Sequence, residues 1–105
     1  MKQNIVELSK VIRSKNCSPF ELTIDIILKD RLVYERIKKH NEIDRPLIAL
    51  LYKVNESCVR KIFYFDPANA IKITMERAIA SGAPGDTDVY GAQQHAPLLS
   101  LIITI

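Results

Sequence analysis

The chain has 105 residues, of which 48% are hydrophobic and 26% charged, and its formal net charge is +3. That profile fits one globular domain over residues 1–105, with no repeat, low-complexity tract or linker dividing it. The charge is dispersed, with "IKKH" and "RSK" the only local basic concentrations, so a nucleic-acid partner is not expected. A domain this short buries a smaller fraction of its surface than a large enzyme does, which favours a site at an edge or subunit interface. Self-association into a homo-oligomer, or a larger partner, is expected on the same ground.

Near the start, "IVELSKVIR" fits a short helix through Ile5, Leu8 and Ile12 almost as well as a strand. A strand is preferred because it would pair with residues 20–28 across the turn "SKNCSP". In "FELTIDIIL", Phe20, Leu22, Ile24, Ile26 and Leu28 alternate with Glu21, Thr23 and Asp25, the period of a half-buried strand. Asp25 then faces solvent or pairs with a basic neighbour. Asp30 offers an N-cap for a helix over "RLVYERIKKH", whose basic residues gather at the C-terminal end, where the helix dipole favours them. A second helix is capped by Asp44 or Arg45, with Pro46 in its first turn and one buried stripe of Leu47, Ile48, Leu50, Leu51 and Val54. "VRKIFYF" and "AIKITME" read as strands joined by the turn "DPAN". A short helix from about Asp88 to Ala96, stopped by Pro97, precedes a closing strand "LSLIITI". The fold class is α+β: an antiparallel sheet with helices mainly on one face, nearest to a ferredoxin-like or split β-α-β arrangement.

No secretory pattern opens the chain, since "MKQNIVELSK" is polar where an apolar run would stand. Cys17 and Cys58 are therefore expected as reduced thiols, and the protein as cytoplasmic. The apolar run "APLLSLIITI" is shorter than the ~20 residues a membrane span needs.

The densest chemistry lies in "SGAPGDTDVYGAQQHAPLL", residues 81–99. Gly82, Gly85 and Gly91 permit close approach of a ligand to the backbone, and Asp88 caps the helix that follows. Its free amides make an anion site if left open; otherwise "APGD" is a turn and the Asp88 carboxylate fills them. His95 titrates in the physiological range and suits a general acid or base oriented by Asp86 or Asp88; a capping or solvated surface role is the plainer alternative. Gln93 and Gln94 are adjacent on that helix, so only one of them can face a shared site. Asp86, Asp88 and His95 fall below the usual specific metal-ligand patterns, and no metal is assigned. At the other end, "IRSKN" supplies Arg13, whose fork suits a carboxylate or phosphate, with Ser14 and Asn16 beside it. The plainer role for Arg13 is an ion pair with a carboxylate such as Asp86 or Asp88. Cys17, close to Arg13 and Lys15, is a weaker candidate as a nucleophile.

Together, "IRSKN…PFELTIDI", "FDPANAIKIT" and "SGAPGDTDVYGAQQHAPLL" resemble a small family of unknown function found beside or fused to AtuA-like (acyclic terpene utilisation) proteins. The likeness covers nearly the whole chain. A more distant resemblance is to the ferredoxin-like C-terminal domain of the AtuA-like proteins. That domain opens on an Arg-Ser-Gly-Asp-Lys-Gly type loop and ends on an Asp-x-x-Gly-Lys helix. Arg13 and Ser14 match the first loop, while Lys15 and Asn16 replace its glycine and acid; Asp88 and Gly91 match the second, with Ala92 in place of its lysine. The resemblance implies a small subunit working with an AtuA-like large protein in organic-acid or acyl-CoA catabolism, with hydratase or lyase chemistry on a carboxylated substrate. His95, Asp86 and Asp88 would then be catalytic, and Arg13, Ser14, Asn16, Gly85, Tyr90, Gly91 and Gln94 would hold substrate. The cofactor is left open by the sequence. The rival readings are a non-catalytic interaction module and a free-standing homo-oligomeric binder of small anions.

Overall fold

The structure, a computed structural model, describes residues 2–18, 20–76 and 99–104. β1 (Lys2–Asn4) leads into one helical turn, α1 (Ile5–Leu8). Asn4 caps that turn, its side-chain oxygen accepting from the Val6 N–H at 2.7 Å. Ile5 and Leu8 are both buried. Here the expected strand over "IVELSKVIR" is corrected: β2 begins only at Ser9 and runs to Ser18. Residues three apart share a helix face but point to opposite sides of a strand, so the capped turn buries two apolar side chains where a strand would bury one.

β2 forms an antiparallel hairpin with β3 (Glu21–Leu28). Leu22, Ile24, Ile26 and Leu28 are buried as their alternation requires, whereas Phe20 sits in the turn and is exposed. α2 (Arg31–His40) starts on Asp30, which accepts from the Leu32 N–H at 2.8 Å, and carries Lys38, Lys39 and His40 in its last turn. α3 (Arg45–Tyr52) starts on Asp44, which accepts from the Leu47 N–H at 3.0 Å, with Pro46 in the first turn. Its buried residues are Ile48 and Ala49, flanked by partly buried Leu47 and Leu51, while Leu50 is 76% exposed. The expected stripe therefore holds at Leu47, Ile48, Leu51 and Val54 and fails at Leu50, with Ala49 buried instead.

A 3-10 turn, Glu56–Cys58, introduces β4 (Val59–Phe65). A second, Asp66–Ala68, ends on Asn69 in the left-handed region and delivers the chain to β5 (Ala70–Glu76). β6 (Ile102–Thr104) pairs antiparallel with β1 in a separate two-stranded sheet, and it is shorter than the "LSLIITI" strand expected.

The main sheet has the order β2-β3-β5-β4 and every neighbouring pair is antiparallel. β3 and β4 therefore run parallel, joined over α2 and α3, with β5 slotted between them: a split β-α-β unit. The remaining place, beside β3, is filled by the hairpin partner β2. A second crossover of the ferredoxin-like kind is not found among the described elements. One α+β core joins the inward faces of β3 and β5 to Tyr34 and Ile37 of α2, Ile48 of α3, and Ile5, Leu101 and Ile103. No described helix is long and apolar enough to cross a membrane.

Candidate functional site

With the helices on one face, the other face of the four-stranded sheet is left to the alternate residues of each strand. The register sets them in rows. Arg13 lies opposite Asp25, Asp25 opposite Lys72, and Lys72 opposite Phe63. The adjoining rows are Lys15, Thr23, Thr74 and Lys61 on one side, and Val11, Ile27, Ala70 and Phe65 on the other. Four cations, Arg13, Lys15, Lys61 and Lys72, are exposed on this face.

At the centre of the face Asp25 is only 4% exposed. Arg13 Nε donates to its Oδ2 at 3.2 Å, while Oδ1 is buried with no hydrogen-bond partner. A buried carboxylate oxygen without a donor is costly, so this pair is an uncommon thing to find in the middle of a sheet. Nε is the atom spent on Asp25. The NH2 pair at the outer end of the fork belongs to a side chain that is 63% exposed. An arginine paired through Nε keeps its other N–H donors, which suit a carboxylate.

On β4, Phe63 and Phe65 are 45% and 39% exposed, their ring centres 6.3 Å apart. An ammonium lies against each: Lys61 Nζ is 5.4 Å from the Phe63 ring centre and Lys72 Nζ 5.9 Å from that of Phe65. None of these four residues was singled out from the sequence as a site. The signal was available in the alternation of "VRKIFYF", which sets Lys61, Phe63 and Phe65 on the side away from Ile62 and Tyr64.

Of the residues predicted from sequence to form a site, Arg13 is on this face. Ser14 is buried and registers opposite Ile24, so it belongs to the helix-covered side and not to a shared patch with Arg13. Asn16 registers opposite Leu22. Gly82, Gly85, Asp86, Asp88, Tyr90, Gly91, Gln93, Gln94 and His95 lie outside the described residues, as does the helix expected from Asp88 to Ala96. Arg13 pairs with Asp25, which was expected to face solvent or find a basic partner and is buried; Asp86 and Asp88, considered as its partners from sequence, lie outside the described residues.

Two further polar clusters are structural. Asp66 accepts from Tyr34 Oη at 2.6 Å and from Lys38 Nζ at 2.8 Å, and its backbone carbonyl accepts from Arg31. Lys38 first, then Tyr34, hold the Asp66 carboxyl below its ordinary value, while burial and the Asp66 hydrogen bond push Tyr34 up. The cluster ties the β4–β5 turn to α2. A groove of about 350 Å³ lies between the start of α3 and β4, lined by Asn41, Asp44, Arg45, Glu56 and Tyr64. Three of its polar side chains are engaged within the chain: Tyr64 Oη donates to the Ile43 carbonyl at 2.9 Å, Arg45 Nε to that of Val59 at 2.8 Å, and Asp44 accepts from the Leu47 N–H. Cys58 is a free thiol. Among the described residues no group of three His, Cys, Asp or Glu is placed to hold a metal ion.

No curated protein and no solved structure matches the chain. A family model does, described as Domain of unknown function (DUF4387), over residues 5–102. That span takes in the whole four-stranded sheet, all three α-helices and the start of β6, so the chain belongs to the DUF4387 family.

Proposed function

We propose that this protein is a small cytoplasmic subunit or accessory domain of an AtuA-like protein, acting in organic-acid or acyl-CoA catabolism on a carboxylated substrate. The observation that supports this reading is Arg13, paired through Nε with the buried Asp25 while its side chain is 63% exposed. A pre-oriented guanidinium loses little freedom when it takes a carboxylate, which is what substrate binding needs. In this reading Arg13 receives the substrate carboxylate. The tail motif supplies the chemistry of a hydration or lyase step: His95 moves the proton, Asp86 or Asp88 orients it, and the amides from Asp88 to Gly91 take the developing oxyanion. Gly85, Tyr90 and Gln94 are assigned to substrate binding in the same reading.

The test is to purify the chain together with an AtuA-like large protein and assay unsaturated and hydroxy acids. Arg13→Ala is expected to raise KM about tenfold or more, the loss of a charge-assisted bidentate contact, and His95→Ala to lower kcat. Unaltered turnover in both variants would sink the residue assignment. A second reading, a non-catalytic interaction module, is favoured by the mixed aromatic and cationic sheet face. Full activity of the large protein alone would decide for it.

A further inference from the structure

The sheet face away from the described helices holds more than Arg13. Phe63, Phe65 and Val11 are exposed apolar side chains on it; Lys61 and Lys72 lie against the two rings, Arg13 and Lys15 stand on β2 at the other edge, and acids are present as Asp25 within the three rows and Glu21 and Glu76 in the row beyond. A solvated surface has no need of two phenylalanines two residues apart on an edge strand, and exposed aromatics ringed by charge mark interaction surfaces. The charge says what kind. Facing groups must be acidic to be compatible with four cations, and the apolar anchors call for aliphatic or aromatic side chains between those acids. The lysines also discriminate between two anionic partners. One face of each ring already carries an ammonium at 5.4 and 5.9 Å, so a flat base does not find two bare rings to stack on. A carboxylate, by contrast, can take the outward hydrogens of an ammonium that the ring holds in place.

We infer that this face is the docking surface for an acidic patch on a partner protein, with Phe63 and Phe65 as its apolar anchors and Lys61, Lys72, Lys15 and Arg13 as its charge-matching rim. The inference rests on the subunit reading above, and the AtuA-like large protein is the partner to be used. Its affinity for the full chain is measured by calorimetry at two salt concentrations. Two surface variants are compared, Phe63→Ala with Phe65→Ala, and Lys61→Glu with Lys72→Glu. Arg36→Glu with Lys39→Glu, on the exposed side of α2, makes the same change in net charge away from the face. Circular dichroism and thermal melting establish that each variant is folded.

The expected result is binding that weakens with salt, falls about 30-fold or more in both face variants, and is unchanged in the α2 variant. Binding by the wild type that survives both face variants overturns the docking surface and leaves the subunit reading standing. No binding by the wild type overturns the subunit reading, and the acidic partner with it. Tighter binding of a 20-mer of single-stranded oligothymidylate, lost in the same face variants, overturns the protein partner in favour of a nucleic acid.

Discussion

Replacing Asp25 by valine should make the protein more stable and less functional. In the wild type the carboxylate is 4% exposed in a central strand, one of its oxygens has no partner, and the other is held only by an arginine that is itself mostly in solvent. Leaving one buried polar atom unsatisfied costs about 1–3 kcal/mol. The ion pair, with one half exposed, returns about 0–1 kcal/mol. Valine is close to aspartate in size, favours strands, and leaves neither term, so Asp25→Val should gain about 1–2 kcal/mol. For a domain of this size that is a rise in Tm of about 5–10 °C. Urea unfolding followed by circular dichroism measures it, with an unchanged slope against denaturant showing that the same surface is exposed. The cycle completes the reasoning: Arg13→Ala should cost about 1–3 kcal/mol in the wild type, where it strands a buried charge, and close to nothing in the Asp25→Val background. If Asp25→Val is instead destabilised by about 1 kcal/mol or more, the carboxylate is stabilising the sheet, and the argument that it is kept to hold Arg13 fails.

Tyr34→Phe removes the hydroxyl that donates to Asp66 at 2.6 Å and should cost about 1–2 kcal/mol in urea unfolding. Because the Asp66 carboxyl is held below its ordinary value in the folded state, its contribution is present above the unfolded value of 3.8 and is lost as pH falls through the folded one. The variant's stability should therefore fall less steeply than the wild type's below about pH 4, and an identical acid limb in both proteins would contradict the assignment. Asp44→Ala removes the acceptor for the Leu47 N–H and should cost about 1 kcal/mol, read as a lower thermal midpoint. Lys53 closes α3 at φ 56°, so Lys53→Gly should stabilise by about 0.5–1 kcal/mol, measured by the same melts.

The parts of this fold that were legible in the sequence are those decided within a few residues. Asp30 and Asp44 announce helices because a cap satisfies amides two or three positions on, and Pro46 confirms the second. The two hairpin pairs follow from period two and from turn residues between them. What needed the structure is non-local. The sequence separates Arg13, Lys15, Lys61 and Lys72 by up to 59 positions. Only the pairing of β3 with β5 brings them to one face, so a search for local basic runs could not find it. Asp25 was correctly read as lying on the polar side of its strand. Alternation carries no information about how crowded that side is, and so the burial was not foreseen. Ser14 shows the converse limit, since neighbours in sequence along a strand look to opposite faces and "IRSKN" does not make one patch. Residues 81–98 of the tail motif lie outside the described residues, and the experiments above test their role.

The two central strands, β3 and β5, keep unbroken register from Glu21 opposite Glu76 to Ile27 opposite Ala70. The outer strands do not: β2 slips between Ser9 and Val11 and again between Asn16 and Ser18, and β4 between Val59 and Lys61. Irregularities confined to the edges, with Lys10, Lys15, Arg60 and Lys61 upon them, are a defence against polymerisation. An incoming strand of another copy would meet a broken row of hydrogen-bonding groups and a fence of positive charge. Among the described strands, then, the sheet combines a broad face bearing exposed phenylalanines with sides that disfavour edge-to-edge strand addition.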